Sequence, residues 1–109
     1  MQSIEVFSAK RFADEKMQKV NLFDTANCFC DLYCLKPGQS QKPHSHAGAD
    51  KIYCVLEGEA TIQVGDEEQV LGPGKIVLAP SEVVHGVRNA GSQPLSVLVF
   101  MAPNPNARA

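Results

Sequence analysis

The sequence has no run of Lys or Arg that could form a patch, and its ten basic residues are outnumbered by twelve acidic ones, for a net charge of −2. That balance excludes the electrostatic footprint of a nucleic-acid binder, so no nucleic-acid partner is expected. Long apolar runs are missing too. The longest, Val97 to Ala102, is far short of a membrane span. The first ten residues, "MQSIEVFSAK", lack the basic start and apolar stretch of a secretory signal. With no targeting signal and no span, the expected location is the cytoplasm, without membrane attachment. The four cysteines, Cys28, Cys30, Cys34 and Cys54, include no C-x-x-C pair. They are expected to be reduced and to serve as small buried hydrophobes. Cys28 and Cys30 share a strand face, which leaves a soft-metal site or other thiol function as the alternative. No internal repeat or linker divides the 109 residues, a length that suits one domain. Past about residue 16 no helical period of useful length appears.

What is present is a succession of short apolar and aromatic stretches punctuated by turns. "IEVF" (4–7) reads as a short strand and "SAKRFADE" (8–15) as a short helix capped by Ser8. Strands are expected at 19–23, 28–35, 51–57, 59–65, 68–71, 76–80, 83–89 and 94–102. "KPGQSQKP" (36–43) reads as a loop because of its proline and glycine content. Gly38, Gly58, Gly65, Gly72 and Gly74 read as turn glycines. The tail, 103–109, is polar and proline-containing and is expected to be loose. Many short strands at regular spacing argue for an all-β sandwich or barrel.

Only three histidines occur, and two of them, His44 and His46, stand one residue apart. On a strand that spacing projects both to the same face. His85 lies about forty residues downstream in its own strand, and strands remote in sequence can be neighbours across a barrel. Three neutral imidazoles with an open coordination position suit a divalent transition metal such as Fe, Mn, Zn, Ni or Cu. The other reading of the same residues is surface or hydrogen-bonded core histidines.

The sequence resembles a small single-domain cupin. The cupin first motif, G-x5-H-x-H-x(3,4)-E-x6-G, is matched by Gly38, His44, His46 and Gly58. The second, G-x5-P-x-G-x2-H-x3-N, is matched by Gly74, Pro80, His85 and Asn89. The resemblance covers roughly residues 28–101 and implies a jelly-roll β-barrel, or double-stranded β-helix, with a metal or ligand pocket inside. It also implies a homodimer, in keeping with strands that are apolar on both faces around Ile52–Leu56 and Leu98–Phe100.

Two positions depart from the motifs. Glu82 takes the glycine slot after Pro80, so that turn is expected to avoid positive φ, where glutamate would be strained. Counted back from Gly58, the glutamate-ligand slot holds Lys51; counted from the histidines, Asp50 fits and remains a weaker candidate ligand. Strand parity sends Lys51, with Tyr53 and Val55, into the barrel and Asp50 away from it. Three roles for Lys51 stand open. It could be a general base or Schiff-base amine, which makes it the candidate catalytic residue; it could hold an anion beside the metal; or it could turn outward to pair with Asp50. The last is favoured, because lysine is rarely buried without a partner. Two functions follow from the resemblance: a metalloenzyme of oxygenase or isomerase type acting on a small organic substrate, or a non-catalytic module binding a small metabolite or anion.

Overall fold

The computed structural model describes residues 1–106. Nine strands are ordered β1 (Gln18–Asp24), β2 (Phe29–Leu35), β3 (Ser40–His44), β4 (Asp50–Glu57), β5 (Ala60–Val64), β6 (Glu67–Leu71), β7 (Ile76–Ala79), β8 (His85–Arg88) and β9 (Leu95–Ala102). They form two antiparallel sheets, one ordered β1-β2-β9-β4-β7 and the other β3-β8-β5-β6. The fold is all-β, as the turn spacing pointed to, in the jelly-roll form that the resemblance implied.

The core follows from the period-two alternation of β2, β4 and β9. Register places Tyr33 beside Val97 and Val97 beside Val55 in one row, and Asp31, Val99 and Tyr53 in the next. A third row holds Phe29, Met101 and Lys51. These rows face inward. Tyr33, Tyr53, Val55, Val97, Val99 and Met101 are all buried, whereas Ile52, Cys54, Leu98 and Phe100, of opposite parity, are not. Each fully buried aliphatic side chain contributes roughly 1.5–3 kcal/mol of transfer free energy, so the central strand β9 anchors much of the stability.

Several local expectations are corrected. Residues 4–7 form no strand and 8–15 no α-helix; a single 3-10 turn spans Val6–Ala9, where the Glu5 carboxylate accepts the Ser8 N–H at 2.8 Å. The segment 36–43 is not all loop, because β3 begins at Ser40. As an edge strand paired only with β8, it tolerates Pro43, whose missing N–H costs no ladder bond there. Gly86 of β8 explains how close the two strands come: a Cβ at that position would lie 3.0 Å from the Gln41 carbonyl. The tail is tied down at Asn104, which is buried and donates to the Asp24 carboxylate and the Thr25 carbonyl; the expectation of looseness for its last three residues falls outside the described ones. Of the cysteines only Cys34 is buried; it shares the outward parity of Cys30 but lies under the N-terminal segment, whose Arg11 N–H reaches its Sγ at 3.4 Å.

Asn89, matched in the second motif, closes the turn between β8 and β9. Its Nδ2 donates to the carbonyls of Leu35 (2.9 Å) and Gln93 (2.8 Å), and its Oδ1 accepts the Gly91 N–H (3.0 Å). Its own backbone bridges to Gln39 and Gly38. The side chain is 1% exposed, so water cannot replace it readily. Asn89→Ala leaves buried carbonyls unpaired and is expected to cost about 2–3 kcal/mol in urea unfolding. A loss within experimental error would show that the turn is held by its backbone alone.

Candidate metal centre

His44 closes β3 and His85 opens β8, and the ladder pairs them directly across from one another. A bulge between Gln41 and His44 sets that register. His46 lies just past the end of β3, not on it. Its position is held from behind by the β7–β8 turn: the Glu82 N–H donates to the His46 carbonyl at 2.6 Å. Glu82 does so at φ +68°, so the expectation that this turn avoids the left-handed region is wrong. A non-glycine residue there carries strain, which the clasp on the histidine loop offsets.

The three imidazoles meet. Ring centroids are 4.6 Å apart for His44–His85, 4.7 Å for His44–His46 and 5.6 Å for His46–His85. One nitrogen from each lies within 4.8 Å of the others. Hydrogen bonds fix two tautomers. Nδ1 of His44 donates to the Lys42 carbonyl (2.9 Å) and Nδ1 of His85 to the Val83 carbonyl (3.0 Å). Each Nε2 is then left with its lone pair free. Nε2 of His85 is buried and has no hydrogen-bond partner among the described residues. Burial, and then the charge of Lys51 and the neighbouring imidazoles, lowers the pKa of His85 to about 4, although the Val83 carbonyl opposes the shift. His46 is shifted down for the same first reason. His85 and His46 are therefore neutral near pH 7, the state in which an imidazole ligates. A buried lone pair without a partner and two further imidazoles around it fit a divalent transition metal.

Asp50 stands outside this cluster. It is exposed, and its Oδ1 accepts the Ser81 N–H at 2.9 Å, a second tie between the start of β4 and the β7–β8 turn. Nor does it pair with Lys51, so the outward-turned lysine is overturned. Lys51 is 1% exposed and points into the barrel. Its partners are neutral. Nζ donates to Tyr33 Oη (3.0 Å) and Gln41 Oε1 (3.2 Å), and lies 5.0 Å and 5.1 Å from the ring centroids of Tyr53 and Tyr33. Two ring quadrupoles and two oxygens stand in for the missing carboxylate. Even so, burial chiefly, helped by the charge of Lys19, lowers the lysine pKa to about 7, and Asp31 offsets part of that.

His44, His46 and Lys51 open on a cavity of about 450 Å³ whose walls include Tyr33, Gln41, Lys19, Asp31, Phe29 and Met101. A separate hollow of about 280 Å³ lies between the edge strands β6 and β7, walled by Ile62, Leu71 and Val77 with no histidine or lysine. Of the residues that parity sends into the barrel, Lys51 lines the cavity, whereas Tyr53 and Val55 are buried without being among its walls. Tyr33 and Asp31 carried the same alternating signal in β2 and were missed; Gln41 sat in a stretch read as loop and gave none.

The neutral state of buried His85 has a consequence for stability. Its folded pKa lies below the ordinary histidine value of about 6.5, so the unfolded chain binds the proton first as pH falls. Stability of the metal-free protein is therefore complete above pH 6.5 and lost as pH drops toward 4. The loss from this group is at most about 3 kcal/mol. His85→Gln, which cannot titrate, should show a flatter profile of urea midpoint against pH; an equally steep one would mean that other groups cause the acid loss.

Comparison with known proteins agrees with this fold. The family model for the cupin domain matches residues 31–101. An uncharacterised protein of Streptomyces coelicolor is 38% identical over 79 residues, covering 71% of each chain. The crystal structure of TT1209 from Thermus thermophilus superposes with a TM-score of 0.94 at 44% identity, covering 96% of this chain and all of that one. A Klebsiella pneumoniae conserved protein with a double-stranded β-helix domain matches at a TM-score of 0.88 and 25% identity, over 99% of this chain and 94% of that one.

Proposed function

The chain belongs to the cupin family, and from that premise we propose that its barrel is a three-histidine metal centre that binds and transforms a small organic molecule. The observation that carries this reading is the buried, unpartnered Nε2 of His85 with two further imidazoles beside it. His44, His46 and His85 would hold the ion. A bound ion of this kind supplies Lewis acidity or, if it is iron, activation of dioxygen. The chain's own contribution is positional. The carbonyls of Lys42 and Val83 orient two of the rings, the β7–β8 turn holds the backbone of His46, and Tyr33 lines the cavity beside them. The cavity volume falls within the range typical of small-molecule sites. Elemental analysis of untagged protein should find about one divalent transition metal per chain. Loss of an outer-shell partner already weakens metal binding roughly 10–100-fold, and removing a ligand costs at least that much. His44→Ala, His46→Ala and His85→Ala should therefore each be purified nearly metal-free. Full metal content in the triple variant would move the site elsewhere. Metal-dependent turnover of small carbonyl or phenolic compounds separates an enzyme from a binding module.

We also propose a homodimer formed through the outer face of the five-stranded sheet. Register lines up Cys30, Phe100, Ile52 and Leu78 in one outward row and Leu98, Cys54 and Ile76 in the next, whose fourth member, Leu32, is already buried within the chain. Within one chain Ile76 is 67% exposed, Leu78 56% and Phe100 41%. A contiguous apolar sheet face of this kind is ordinarily covered, and a two-fold contact covers it in both copies at once. Light scattering should report twice the 11.8 kDa chain mass, and Phe100→Lys should halve it; a parent protein that stays monomeric at high concentration refutes the interface.

A further inference from the structure

We propose that Lys51 and Tyr33 form a seat for the carboxylate of a small organic anion, placed beside the three histidines. This deepens the reading above and rests on it only for the neighbouring metal. The inference comes from counting donors and acceptors in the buried polar cluster. Gln41 Oε1 accepts from Lys51 Nζ (3.2 Å) and from Tyr53 Oη (3.2 Å), which fills both of its lone pairs. Tyr33 Oη accepts from Gln41 Nε2 (2.9 Å) and Lys51 Nζ (3.0 Å), which fills both of its own. In its charged form, the one a bound anion favours, Lys51 has no lone pair to offer in return. The Tyr33 O–H proton and the third Lys51 proton therefore have no acceptor among the described residues, and both residues line the cavity. Two donors, one of them cationic, converge on the same space with their acceptors missing. A carboxylate supplies two oxygens and the counter-charge together.

The charge of the walls points the same way. Lys19, Lys42 and Lys51 face the cavity with Asp31 as the one carboxylate among its walls, and that carboxylate already accepts Asn21 Nδ2 at 2.8 Å. Among the described residues no salt bridge engages any of the three lysines. A chain of net charge −2 thus presents a cationic hollow, which concentrates anions at its mouth. The remaining wall decides between an inorganic and an organic anion. Phe29 and Met101, packed together beside Lys51 in the same inward row, offer an apolar surface that would be wasted on a fully hydrated ion and suits a short carbon skeleton.

The test titrates the purified protein, its metal content measured first, with pyruvate, with its neutral counterpart pyruvamide and with inorganic phosphate, followed by amide NMR shifts. Pyruvate should bind about tenfold or more tightly than pyruvamide, since a hydrogen bond to a charged group is worth roughly that factor. Lys51→Met should lower pyruvate affinity by about the same factor, and Tyr33→Phe by a few-fold, while pyruvamide binding stays put. If Lys51→Met does not fold, Tyr33→Phe carries the comparison alone. Equal affinity for pyruvate and pyruvamide, phosphate binding as tight as pyruvate, parent-like pyruvate affinity in both variants, or no saturable response to pyruvate each overturns the seat. A protein without metal that still discriminates pyruvate keeps the seat and refutes the metal centre; a metal-loaded protein without discrimination does the reverse.

Discussion

The pairing of His44 with His85 across the β3–β8 ladder is the contact on which the site depends. It joins two strands about forty residues apart in the chain, and it requires a bulge in β3, a proline tolerated only because the strand is an edge, and a glycine at position 86 where the backbones nearly touch. Shift that register by one residue and both imidazoles turn to the opposite face of the sheet. The carbonyls of Lys42 and Val83, each two residues before its histidine, then fix which nitrogen is left free. The centre is therefore built from backbone geometry as much as from imidazoles.

Around it the protein tolerates two local costs. Glu82 sits at positive φ where glycine would be at ease, and its amide holds the His46 loop. Lys51 is buried without a carboxylate partner, held by two phenols and an amide. Strained backbone and a buried cation each cost stability, and both occur within reach of the histidines and not in the apolar core of Val55, Val97 and Val99. Costs concentrated at one end of the barrel mark that end as the working one.

The outer face of the larger sheet and the inner cavity are tied through the same strands. Ile52 faces outward beside Lys51, which faces inward, so β4 carries the proposed dimer contact on one side and a cavity wall on the other. A change in packing on the outer face would be felt at Lys51 through a single strand thickness. That coupling is a property of a two-layer fold in which each strand has two occupied faces.

The alternation in "KIYCVLE" and "PLSVLVFMA" was enough to assign strands, inward faces and the all-β class, because a period of two is a local property of the chain. The two gapped motifs named the family and the three histidines, since residue type and spacing are all that such motifs require. What lay beyond reach was anything settled by contact between distant segments. Lys51 was expected to seek a carboxylate; instead Tyr33 and Gln41, 18 and 10 residues away, receive it, and no local pattern announces an amide in a proline-flanked edge strand as a buried partner. Glu82 was expected to avoid positive φ on intrinsic preference, and the His46 carbonyl overrode that preference. Sequence by itself determined which residues could bind a metal and which faces had to be buried, because both depend on side-chain chemistry and strand parity. Only tertiary structure decided the tautomers, the neutral partners of the lysine and the cationic character of the cavity, because each depends on which backbone and side-chain groups the barrel brings within about 3 Å of one another.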